Sequence, residues 1–121
     1  MISVLDYGMG NIGSILNMLK WIGVESEVCD DLPSLENVQK LVLPGVGAFD
    51  HAMSRIRELG MFDMLNQKAL VEEIPILGIC LGMQLMTRGS EEGEMEGFGW
   101  IPAEAQRFTE SSSLKIPHMG W

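Results

Sequence analysis

The sequence predicts an α/β fold built on a mostly parallel sheet with flanking helices, and two observations carry that prediction. Short apolar, β-rich runs at Ile2 to Leu5, Val24 to Cys29, Leu41 to Leu43 and Ile76 to Ile79 are separated by stretches with helical spacing. Most of these runs are continuous rather than alternating, the pattern of strands in a sheet covered on both faces. Neither an internal repeat nor a linker-like composition divides the 121 residues, so a single domain is expected.

The first run stops at Asp6-Tyr7-Gly8-Met9-Gly10, a glycine-bearing turn of the kind that closes a buried strand. Ile12, Ile15, Leu16, Leu19 and Ile22 then recur at helical spacing, with Asn11 placed to cap the start and Gly23 to end it. Val24 to Cys29 alternates like a half-exposed strand. Asp30-Asp31-Leu32-Pro33 breaks it, and Leu35 and Val38 allow one short helical turn before the strand Leu41 to Leu43. After Pro44-Gly45-Val46-Gly47, Phe49, Met53, Ile56 and Leu59 share one helical face. Gly60 interrupts, and Met61, Leu65, Leu70 and Val71 suggest a second helical segment. Pro75 introduces the buried strand Ile76 to Ile79. Beyond Thr87 the pattern loosens, with extended pieces expected near Trp100-Ile101 and Gln106-Arg107-Phe108.

Composition narrows the function. The chain is 46% hydrophobic and 21% charged, an ordinary globular balance, and its net charge of −9 has the wrong sign for binding a phosphate backbone. No nucleic-acid partner is expected. The longest uncharged stretches, Tyr7 to Leu19 and Ile74 to Thr87, fall short of the roughly 20 apolar residues that span a bilayer. The amino-terminal residues lack the basic, then apolar, pattern of a secretory signal, so no membrane contact and a cytoplasmic location are expected. Cys29 and Cys80 lie far apart with no Cys-x-x-Cys or His cluster, so neither a disulfide nor a metal is expected, and no cofactor motif is present. The acidic run Glu91, Glu92, Glu94 and Glu96 reads in its own right as a solvated loop.

Chemistry concentrates at Gly78-Ile79-Cys80-Leu81-Gly82, which has the Gly-x-nucleophile-x-Gly spacing of a strand-to-helix elbow and sits directly after an apolar strand. Small flanking residues let backbone approach closely, and a thiol in the first turn of a helix faces the positive end of its dipole. The Leu81 N–H is the expected oxyanion donor beside Cys80, and Pro44-Gly45-Val46-Gly47, ending a strand at the same sheet edge, offers a second such as the Val46 N–H. The bland alternatives are a buried core thiol and a simple turn; for Cys29 the core reading is preferred. His51, on a helix, reads as a surface residue, and His118 as a packing or contact residue. These residues thus describe a thiol elbow with an oxyanion loop and no assigned base.

Taken together, Asp6-Tyr7-Gly8-Met9-Gly10-Asn11, Leu43 to Phe49, Leu77 to Gln84 and Ile116-Pro117-His118-Met119-Gly120-Trp121 resemble the class I glutamine amidotransferases, and within them the glutaminase subunits of imidazole glycerol phosphate synthase. The resemblance runs in order along the whole chain. It implies a flavodoxin-like amidotransferase fold, with residues 1–121 as the amino-terminal part of one such domain. It also implies that Cys80 attacks the side-chain amide of glutamine, with the Gly45 to Gly47 loop and the Val46 and Leu81 amides forming the oxyanion hole. Gln84 and Glu92 would hold the substrate. Asn11, His118, Met119 and Trp121 would face a cyclase subunit, a (β/α)8 barrel that receives the ammonia for histidine biosynthesis. The family's catalytic His and Glu come from a later part of the chain and have no counterpart here, so the 121 residues alone are expected to be inactive. The alternatives are a paralogous subunit serving another pathway, such as surface-sugar synthesis, and a non-catalytic module on the same scaffold.

Overall fold

The computed structural model describes residues 1–108. Strands β1 (Ile2–Leu5), β2 (Ser26–Cys29), β3 (Leu41–Leu43) and β4 (Ile76–Gly78) form one parallel sheet in the order β2-β1-β3-β4. Its register pairs Val4 with both Val28 and Val42, and Val42 with Leu77. Helices α1 (Ile12–Trp21), α2 (Leu32–Glu36), α3 (Phe49–Glu58) and α4 (Phe62–Asn66) make the crossovers, and α5 (Leu81–Leu85) follows β4. A small parallel pair, β5 (Gly89–Ser90) and β6 (Glu104–Ala105), lies beyond.

Local chemistry sets the helix ends. The Asn11 Oδ1 accepts from the Ser14 N–H at 3.1 Å, and the chain leaves α1 through Gly23 at φ +80°. Asp31 and Ser34 form a reciprocal capping box around α2, with Pro33 in its first turn. The segment read as a break is therefore also a helix start, because proline is tolerated where no intrahelical N–H is needed.

The core lies on one face of the sheet. Leu5, Cys29, Leu41 and Leu43 point into it and meet Leu35 from α2, Phe49, Met53 and Ile56 from α3, and Leu65 from α4. The opposite face is more open than the continuous apolar strands predict. Across it runs the row Val28, Val4, Val42 and Leu77, buried in the middle but exposed at both ends, with Leu77 at 59%. No residue of α1 is buried, and Ile79 after β4 is also exposed.

Two further expectations change. Leu70 and Val71 are exposed, because Gln67–Val71 forms a π-helical turn that shifts the face α4 presents. The buried member is Lys68, whose Nζ donates to the Glu36 and Val38 carbonyls at 2.6 and 3.0 Å and to Glu72 Oε1 at 3.0 Å. Downstream, the late strand is Glu104–Ala105 rather than the segments beside it. The isolated aromatics instead pack on one another. Phe98 stacks between Phe62 and Trp100 with centroids 5.1 and 4.4 Å away, and the Trp100 indole N–H donates to Asn66 Oδ1 at 2.7 Å. No helix among the described residues is long and apolar enough to cross a membrane.

Candidate active site

Because the strands of the main sheet are parallel, the loops that follow β1, β3 and β4 emerge at one edge, where open α/β sheets place their ligands. These loops touch. A Cβ on Gly10 would meet the Gly45 amide nitrogen at 3.3 Å and Pro44 Cβ at 3.4 Å, so the turn carrying Asn11 packs against the Pro44 to Gly47 loop. Asn11 itself is exposed there and uses its side chain to cap α1.

Cys80 sits between β4 and α5 at φ +56°, ψ −118°, a conformation unfavourable for a residue with a Cβ. Its neighbours force that turn. A Cβ on Gly82 would collide with the Leu43 carbonyl of the adjacent strand, and one on Gly78 would meet Met86 Sδ at 2.5 Å and Met83 Cα at 2.7 Å. The glycines are therefore required by close packing, and the strained residue between them is exposed while Cys29 is buried. The buried-thiol alternative thus describes Cys29 and not Cys80. Helix α5 has only five residues, so the backbone groups around the elbow, more than a long helix dipole, define the electrostatics here.

The Pro44 to Gly47 loop lies against the elbow. Gly45 is buried, and its carbonyl accepts the Leu81 N–H at 3.1 Å. This carbonyl and the Val46 N–H share one planar peptide unit and point in opposite directions. The two expected donors, Leu81 and Val46, are thus not aimed together at the thiol in this conformation. Val46 and Gly47 are exposed, and Gly47 adopts φ +106°. Behind the loop, the buried Tyr7 hydroxyl donates to the Pro44 carbonyl at 2.7 Å. Burial pushes this phenol far above its ordinary pKa, so it stays a donor.

Gln84 lies one turn beyond Cys80, its N–H donating to the Cys80 carbonyl at 3.3 Å. It shares a cleft of about 50 Å³ with Glu92, Ser90, Ala105, Gln106 and Arg107. Two residues eight positions apart in the chain, both expected to touch substrate, are therefore brought to one concavity. A larger hollow of about 430 Å³, between Leu16, Lys20 and Val24, opens at the opposite edge of the sheet, away from the thiol. His51 is exposed on α3. His118, Met119 and Trp121 lie outside the described residues. Sequence reasoning missed Tyr7 and Asp50, which act on the site's loops through tertiary contacts, as well as Gln106 and Arg107. Only Tyr7 carried a signal, its place in the Asp-Tyr-Gly turn.

Residues 3–121 match the glutamine amidotransferase class-I family. The chain belongs to that family. Among curated class-I relatives, it is 50% identical to imidazole glycerol phosphate synthase subunit HisH 2 of Methanococcus maripaludis, over all of this chain and 60% of that protein. It is 46% identical to subunit HisH 2 of Pseudomonas aeruginosa, again over the whole chain and 60% of the relative. A further match is subunit HisH 1 of Campylobacter jejuni, 46% identical over the whole chain and 61% of that protein. The chain thus spans about 60% of the length of these relatives. A solved amidotransferase structure superposes with a TM-score of 0.72 at 24% identity, covering 88% of this chain and 56% of that one, which supports the class-I fold.

Proposed function

We propose that the protein containing this chain is the glutaminase subunit of imidazole glycerol phosphate synthase. In this reading Cys80 Sγ attacks the side-chain amide carbon of glutamine, and the carbonyl oxygen becomes an oxyanion. As that intermediate collapses the C–N bond breaks, the amide nitrogen takes up the proton the thiol gave up and leaves as ammonia, and a glutamyl thioester remains. Water then cleaves the thioester, releasing glutamate and restoring the thiol. The observation that carries this reading is the strained Cys80 between two sterically required glycines, in a chain of this family.

Stabilising the oxyanion requires the Leu81 N–H to leave the Gly45 carbonyl. Turning the Gly45–Val46 peptide unit does this and, in the same movement, swings the Val46 N–H toward the thiol. Glycine at 45 and 47 lowers the barrier to such a turn. Gln84 and Glu92 bind the glutamine head group from their shared cleft. The base and its orienter come from outside the described residues. Ammonia passes to a cyclase subunit built as a (β/α)8 barrel, contacted by Asn11 and by His118, Met119 and Trp121, and the protein works in the cytoplasm.

The test is glutamate release by the whole subunit with its cyclase. Turnover that disappears in Cys80→Ala supports the reading, and full turnover in that variant removes it. A second reading is a paralogous subunit feeding ammonia to a different synthase. It is favoured by the numbering of two relatives as second copies. Rescue of a histidine auxotroph lacking its own glutaminase subunit separates the two readings.

A further inference from the structure

Asp50, in the first turn of α3, plays no part in the chemistry above, yet it grips the loop that carries Glu92. Its carboxylate accepts the Glu94 N–H at 3.0 and 2.9 Å and the Met95 N–H at 2.8 Å. Two successive backbone donors converging on one carboxylate fix the orientation of a loop as well as its position, since rotating the loop breaks both bonds. Gly93 completes the contact, because a Cβ there would collide with the Asp50 carboxylate and press on the Phe49 ring. One turn further along α3, Ser54 Oγ donates to Met95 Sδ at 3.3 Å. On the other side of Glu92, its own N–H donates to Ser90 Oγ at 3.2 Å. An exposed glutamate in a glycine-containing acidic run is thereby held between fixed points on both sides, at the cleft it shares with Gln84.

We infer that Asp50 is a positioning residue that holds Glu92 in place for glutamine, an inference that rests on the glutaminase reading of Glu92 given above. A loop released from Asp50 spends only part of its time in the binding arrangement, and apparent affinity falls by that fraction. Since the thiol and the oxyanion loop are untouched, the loss appears in KM and not in kcat.

The experiment is steady-state glutaminase kinetics of the whole subunit with its cyclase, in Asp50→Ala, Gly93→Ala, Glu92→Gln and the double variant Asp50→Ala/Glu92→Gln. Asp50→Ala and Gly93→Ala, which free the loop by independent means, are expected to raise KM about tenfold with kcat nearly unchanged. Glu92→Gln is expected to raise it at least as far, and the double variant no further than Glu92→Gln alone, because both remove one interaction. Glu94→Gln, which changes the charge of the loop but keeps the clamped N–H, leaves KM unchanged. If Glu92→Gln raises KM while Asp50→Ala and Gly93→Ala do not, or if the double variant shows the product of the two effects, the positioning role is overturned. An unchanged KM in Glu92→Gln overturns the substrate-binding reading of that glutamate instead.

Discussion

The Tyr7 hydroxyl donates to the Pro44 carbonyl at 2.7 Å, tying the end of β1 to the base of the Pro44 to Gly47 loop. Both groups are buried, so neither has water as a substitute partner. In Tyr7→Phe the ring still fills its space but the carbonyl loses its donor, a change that costs roughly 1–3 kcal/mol. Urea unfolding of the variant is expected to show a lower midpoint with an unchanged m value. A midpoint equal to that of the parent chain would show that the bond contributes nothing net.

Gly82→Ala sets two effects against each other. Replacing a helical glycine by alanine gains about 1 kcal/mol of helix propensity. Here the added methyl runs into the Leu43 carbonyl, and overpacking against backbone costs about 1–3 kcal/mol or more. The steric term wins because a backbone carbonyl held in a sheet cannot step aside. We expect net destabilisation and, in the whole subunit, loss of the glutaminase activity proposed above, and a thermal midpoint at or above that of the parent would refute this ordering of the two effects.

Lys68 and Glu72 form an ion pair with unequal ends: the lysine is buried, while the glutamate side chain is 41% exposed. Lys68→Met strands the Glu36 and Val38 carbonyls and is expected to cost about 3 kcal/mol. Glu72→Gln leaves those bonds in place and removes only a partly solvated partner, for about 1 kcal/mol or less. Denaturant titration of both variants checks the order of the two losses.

Asp31 and Asp50 give the fold an acid-sensitive component. The Asp31 carboxyl is held below its ordinary pKa by the Ser34 hydroxyl and then the Ser34 N–H, and Asp50 by the N–H groups of Glu94 and Met95. A lowered folded-state pKa contributes stability above the unfolded value of about 3.9, and that stability is lost as pH falls through the folded value. The gap in unfolding midpoint between the parent and Asp31→Asn/Asp50→Asn should therefore be full near neutrality and close below about pH 4. A gap that stays constant down to strong acid would rule out this linkage.

Much of the molecule is legible in the order of its residues. The strands at Ile2–Leu5 and Leu41–Leu43, the Asn11 cap and the Gly-x-Cys-x-Gly elbow are local patterns, and local patterns survive folding. What misled was context. Ile76–Gly78 reads as a fully buried strand, yet it is the outer strand of the described sheet, and Leu77 is exposed. Leu70 and Val71 read as a core face, but the π-helical turn gives that place to Lys68. Periodicity reports which residues share a face and not whether anything covers it.

The sequence alone determined the fold class, the position of the Gly-x-Cys-x-Gly elbow and the loops that surround it, because each depends on spacing within a few residues. The tertiary structure alone decided that the Leu81 amide is held by Gly45, that Tyr7 anchors Pro44, and that Asp50 clamps the loop of Glu92. Those partners stand 36, 37 and 44 to 45 positions apart, so they meet only after the parallel strands have brought their carboxyl ends to one edge.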